Sequence, residues 1–186
     1  MTTRPSAVKK EFHATFALGM HLVYSRFNDQ TLIHMIECAV TGDPIRMMKT
    51  GLYFTPSRLR ALTNKIKQID EMLRQRSTIR IPKIYRVNRE DVVYKAHVGT
   101  GVYVSVDKKF NGVDLRRHYV PDGQISVVPT KEGIYMLTSQ WNSFKQSLND
   151  LLYAHPELIN AEECFHEISL DVIDCKECLP FGLLYL

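Results

Sequence analysis

The chain has 186 residues, 45% hydrophobic and 24% charged, a balance that supports one domain or two small ones around a real core and excludes a disordered chain. No apolar run approaches the roughly 18 residues of a bilayer span, and Met1 to Pro5 lack the apolar stretch of a secretory signal, so an intracellular setting without a membrane partner is expected. The net charge of +4 divides unevenly, with 16 Lys/Arg against 7 Asp/Glu in residues 1–90 and 8 against 13 in residues 91–186, which points to a basic surface for a polyanion beside an acidic C-terminal part.

From residue 12, alternating and β-branched residues read as strands, broken by turn signals at Asn28 and Asp29 and at Gly42, Asp43 and Pro44. They lead into a segment, Gly51 to Leu59 (GLYFTPSRL), after which Leu59, Leu62, Ile66 and Ile69 keep the spacing of one helix face. Thr55 and Ser57 offer capping hydroxyls there, and Pro56 suits a first helical turn. Residues 74–97 follow as a basic linker carrying Arg74, Arg76, Arg80, Lys83, Arg86 and Arg89. Its alternating Ile79, Ile81, Ile84 and Val87 suggest a partly extended path. Residues 98–153 return to strands, with turns at Asn111 and Gly112 and at Pro121, Asp122 and Gly123, and close on a second helix face of Trp141, Phe144, Leu148 and Leu151. Residues 154–186 hold seven acids and one lysine and read as an acidic tail.

The two strand-and-helix segments are copies of one another. Gly51 to Leu59 aligns without gaps on Gly133 to Trp141 (GIYMLTSQW), an offset of 82 from 51 to 133, and the four apolar helix positions recur at that offset. Gly19 to Tyr24 (GMHLVY) falls on Gly101 to Val106 (GVYVSV), again 82 apart. A slip of one residue then sets Phe27 and Asn28 against Phe110 and Asn111. The expected architecture is α+β, two tandem modules (12–73 and 98–153) of four strands followed by one helix.

The second copy, from Tyr103 to about Leu152, resembles the positive cofactor four family, transcriptional coactivators whose C-terminal domain binds single-stranded DNA. The matching pieces are Tyr103 to Val106 (YVSV), the turn at Phe110, Asn111 and Gly112, then Asp114, Leu115 and Arg116, and Gly133 and Ile134 followed by Gln140 and Trp141. The first copy joins through its likeness to the second. The resemblance implies curved antiparallel sheets backed by helices and a dimer whose helices pack together. With two modules in one chain, an intramolecular pseudo-dimer is expected, and a further homodimer is open. Offset 82 sets Glu37 where the second copy has Tyr119, so the two copies are not expected to bind equally.

Single-strand binding needs cationic groups for phosphates and aromatic faces for bases. The second copy offers Lys108, Lys109, Phe110, Asn111, Arg116, Arg117, Tyr119 and Lys131; the resemblance assigns Phe110, Arg116 and Tyr119 to stacking or to holding the backbone. The thinner set of the first copy is Arg26, Phe27 and His34, with Arg46 and Lys49 on the next strand. Trp141 belongs with core packing. Cys164, His166, Cys175 and Cys178 have the ligand types of a zinc site without a standard finger spacing, so unligated thiols are the expectation and no cofactor is implied. No phosphate loop, nucleophile elbow or paired-histidine zinc helix occurs, and catalysis is not expected. The implied partners are single-stranded or melted DNA and the transcription machinery, in the nucleus. The alternatives are a replication or repair accessory that protects single strands, and an assembly protein that keeps the fold only for dimerisation.

Overall fold

A computed structural model of the chain describes residues 9–27, 30–38, 48–77, 92–99, 101–107, 111–121 and 127–163. Four antiparallel strands, β1 (Lys9–Ala17), β2 (Met20–Phe27), β3 (Gln30–Cys38) and β4 (Met48–Phe54), form one sheet in sequence order and run into helix α1 (Pro56–Ser77). The pattern repeats with β5 (Val92–Gly99), β6 (Val102–Asp107), β7 (Gly112–Tyr119), β8 (Val128–Leu137) and α2 (Thr138–Ala154). The expected order of four strands and a helix, twice, is the observed one. β1 opens ahead of residue 12, and the stretch read as linker holds the last turn of α1 and most of β5. None of the described helices is long and apolar enough to cross a membrane.

The repeat extends to its irregularities. Both first hairpins break register at the same places, between Lys10 and Phe12 and between Thr15 and Ala17 in one sheet, and between Val92 and Tyr94 and between His97 and Gly99 in the other. Both turn on a glycine of positive φ, Gly19 at 70° and Gly101 at 67°. A Cβ at either would stand 2.7 Å from a carbonyl oxygen, that of Cys38 or of His118, so two independent terms favour glycine. The third strands depart from the common offset. Met20 pairs with Glu37, and its counterpart Val102 pairs with Arg117, so Arg117 rather than Tyr119 answers Glu37. The cause is the hairpin, which holds two more residues between Tyr24 and Ile33 than between Val106 and Val113.

Each helix begins where the sequence changes from period 2 to period 3.6, but the two starts are built differently. The Arg58 amide donates to Thr55 Oγ1 at 3.4 Å with Pro56 in the first turn, as expected. At α2 the cap is Leu137, whose amide donates to the Gln140 side chain at 2.8 Å. Thr138 donates to the carbonyl and side-chain oxygens of Asn111 at 3.1 and 3.0 Å, tying the helix start to the residue ahead of β7.

One core unites both modules. Leu22, Tyr24, Ile33 and Met35 of the first sheet, Val102, Val104, Leu115 and Ile134 of the second, and the helix residues Leu59, Leu62, Ile69, Trp141, Phe144, Leu148 and Leu151 are buried together. α1 packs on β3 and β4 of its own sheet and on β5 and β6 of the other, and α2 packs on β7 and β8 and on β1 and β2. The exchange is reciprocal, and the edge strands β4 and β8 adjoin. Phe16 meets Phe144 edge-on at 5.5 Å, and Asp70 of α1 accepts from Trp141 Nε1 at 2.8 Å and from Lys145 Nζ at 2.7 Å. Trp141 is thus core, as its place on the helix face implies. Beyond α2 the chain does not leave at once: Leu158 is buried, and Glu163 pairs with Lys65 at 3.5 Å. The first part of the stretch read as a tail is therefore docked on the first module.

Candidate nucleic-acid interface

Strand alternation gives each sheet a core face and an outer face. In the second sheet Val104, Val106, Val113 and Leu115 point to the core, which leaves Tyr103, Asp114, Arg116 and His118 on the outer face with Lys95 and His97 of β5 beside them. Tyr103 is the centre of this group. Its ring lies 5.0 Å from that of His97 and 4.8 Å from that of His118, and Lys95 Nζ stands 4.6 Å from its centroid, a cation–π distance. Burial raises the Tyr103 hydroxyl above its usual pKa. His118 is lowered, first by burial, although a hydrogen bond to the Arg116 carbonyl at 3.1 Å acts the other way, and the nearby Lys95 charge lowers it further.

Arg116 is the best-held cation of the face. Its Nε and Nη2 donate to the two Asp114 carboxylate oxygens at 2.9 Å each, and Nη1 donates to the Thr130 and Lys131 carbonyls at 3.1 and 3.4 Å. Those carbonyls belong to a bulge: between the Arg116–Gly133 and His118–Pro129 pairs, three residues of β8 face Arg117 alone. Thr130 Oγ1 donates to the Arg117 carbonyl at 2.9 Å, and the bulge leaves Lys131 exposed. The arrangement makes Arg116 a positioning group for the bulge as well as a charge on the face.

The other expected residues divide. Arg117 alternates to the opposite side of β7, paired with Glu132 at 3.3 Å and lying 5.5 Å from the Tyr53 ring of the first module. Tyr119 ends the strand with its side chain exposed. Asn111 is exposed and engaged by Thr138. Lys108, Lys109 and Phe110 lie outside the described residues, as do Arg46, Cys164, His166, Cys175 and Cys178. Lys49 lies in β4 and Phe27 ends β2. Arg26 is drawn into a local network: it donates to the Tyr24 hydroxyl at 3.1 Å and pairs with Glu11 at 3.4 Å and Glu157 at 3.2 Å. His34 is the register counterpart of Asp114, not of Arg116; it bonds Ser25 Oγ at 3.2 Å, and burial lowers its pKa.

The outer face of the first sheet has a different character. At the positions of Ser105, Arg116 and His118 stand Val23, Ile36 and Cys38, which form a small buried apolar cluster. Lys95, His97, Tyr103 and His118 escape sequence reading as site residues. Finding them needs β5 as a strand and the register of four strands at once. Among the described residues no three His, Cys, Asp or Glu side chains are grouped to hold a metal ion. Compared with protein-family models and with curated proteins, the chain matches none.

Proposed function

We propose that this chain binds single-stranded or melted DNA on the outer face of its second sheet and acts in transcription as a coactivator or regulator. The observation that carries the binding is the cluster of Tyr103 with Lys95, His97 and His118, beside Arg116. An aromatic face amid cations on an open sheet suits unpaired bases, which stack on rings while phosphates meet the charges. The role in transcription and the nuclear setting rest on the resemblance of the second copy to the positive cofactor four family.

The two modules form an intramolecular pseudo-dimer with curved sheets in this reading. Its support is the reciprocal packing of α1 on β5 and β6 and of α2 on β1 and β2, with the equivalent strands β4 and β8 adjoining. Only one of the two faces then serves DNA, because Val23, Ile36 and Cys38 stand where the second sheet has Ser105, Arg116 and His118.

The test is titration of fluorescent oligothymidine and of a matched duplex at several salt concentrations. Tighter binding to the single strand, weakening linearly in log salt, is expected. Binding that is absent, or equal for duplex and single strand, overturns the proposal.

A further inference from the structure

The corner of the first sheet that corresponds to the Tyr103 cluster carries another chemistry. By register His13, Thr15 and His21 are the counterparts of Lys95, His97 and Tyr103. His13 Nε2 lies 3.1 Å from His21 Nδ1, with the rings 5.2 Å apart and inclined by 43°. Thr15 Oγ1 lies 3.0 Å from the same His21 nitrogen. Two imidazole nitrogens at this separation have two states open to them. They share one hydrogen, or, with both hydrogens on the far ring nitrogens, they turn two lone pairs toward one point.

The second state presents the two donors that a metal chelate needs. Imidazole nitrogens bind transition ions at about 2.0 to 2.1 Å, so an ion held by both across the 3.1 Å gap subtends an N–metal–N angle of roughly 100°, between the octahedral and tetrahedral values. The ladder between β1 and β2 holds His13 opposite Val23 and Thr15 opposite His21, so the pair is already assembled before an ion arrives. Partial burial and the neighbouring His13 favour the neutral, ligating form of His21.

We propose that His13 and His21 form a two-histidine site for a divalent transition ion, with water completing the coordination and the Thr15 hydroxyl placed to hydrogen-bond that water. Imidazole ligands suit copper, nickel and zinc, with copper bound most tightly. Magnesium and calcium, which take oxygen ligands, are excluded. The site is independent of DNA binding, since it lies on the other module.

The test is NMR of the histidine side chains in the full chain, because ring resonances report this site apart from any other ligand in the protein. Added zinc should shift the His13 and His21 rings together and saturably, and copper should broaden both at lower concentration. In His13→Gln or His21→Gln the remaining ring should need at least about tenfold more zinc, since even the loss of a group that only supports a ligand weakens metal binding by roughly that factor. Thermal melting confirms that each exchange, at the sheet surface, leaves the fold intact. Rings unmoved by zinc, rings moved equally by magnesium, or a remaining ring that responds as tightly as in the parent would each overturn the proposal.

Discussion

Arg116 and Lys131 are both cations near the candidate face, yet the structure gives them different work. Lys131 is exposed on the bulge and lends only its backbone carbonyl to Arg116. Replacing it with alanine should lower the salt slope of log K by about 0.7, the loss of one phosphate contact on a single strand, and leave the melting temperature unchanged. Arg116→Ala should lower binding and melting temperature together, because Asp114 and the bulge carbonyls lose their donor. Tyr103→Ala should cost roughly 1 to 3 kcal/mol of affinity with the salt slope unchanged. Anisotropy titrations at several salt concentrations, paired with thermal melts, separate the three outcomes.

The histidines add a pH dependence. His21, His34 and His118 are all held below the usual 6.5, each first by burial. A folded pKa below the unfolded one means that the unfolded chain takes up more protons in mild acid. Their contribution is therefore intact above about pH 6.5 and is lost as the pH falls through that value to the lower folded ones. The melting midpoint should drop between about pH 7 and pH 5.5, above the range where most carboxylates titrate. A flat profile there would contradict these placements.

At the scale of elements, periodicity was the strongest guide. The stripes Leu59 to Ile69 and Trp141 to Leu151 are core, because a helix face is a local property; of the turn signals, Asn111 precedes β7 and Gly112 opens it, while Asn28, Asp29, Gly42, Asp43, Pro44, Asp122 and Gly123 lie outside the described residues. β5 escaped because its residues follow directly on the basic run of Arg80 to Arg89, which reads as linker. The counterpart of Arg116 escaped for a different reason. A hairpin longer by two residues shifts the third strand, and only the ladder reveals that Ile36 and not His34 stands there. The tie between helices was equally out of reach of periodicity, since it joins residues 71 apart. Asp70→Ala would leave the buried Trp141 N–H without its acceptor and should cost about 1 to 3 kcal/mol in urea unfolding. An unchanged midpoint would remove this tie from the account of how the copies pair.

The whole molecule consists of two modules of the same topology with a shared core and unlike outer faces. The C-terminal stretch then has two parts. Residues up to Glu163 are held by buried Leu158 and by the contacts of Glu157 and Glu163 with Arg26 and Lys65. Residues 164–186 add four acids, Glu167, Asp171, Asp174 and Glu177, against Lys176. Truncation after Glu163 should keep the melting temperature and strengthen single-strand binding, since the removed carboxylates compete with DNA for the cationic surface. Truncation after Ala154 should lower the melting temperature, because Leu158 leaves the core. Weaker DNA binding by the folded longer fragment would contradict competition by the acids.

The claim that one face of one module holds the strand is tested most directly by NMR mapping with a short oligothymidine. Backbone and side-chain shifts should gather on Lys95, His97, Tyr103, Arg116 and His118, while Val23, Ile36 and Cys38 on the equivalent face of the first sheet stay still. Shifts spread equally over both sheets, or gathered on the first, would contradict it.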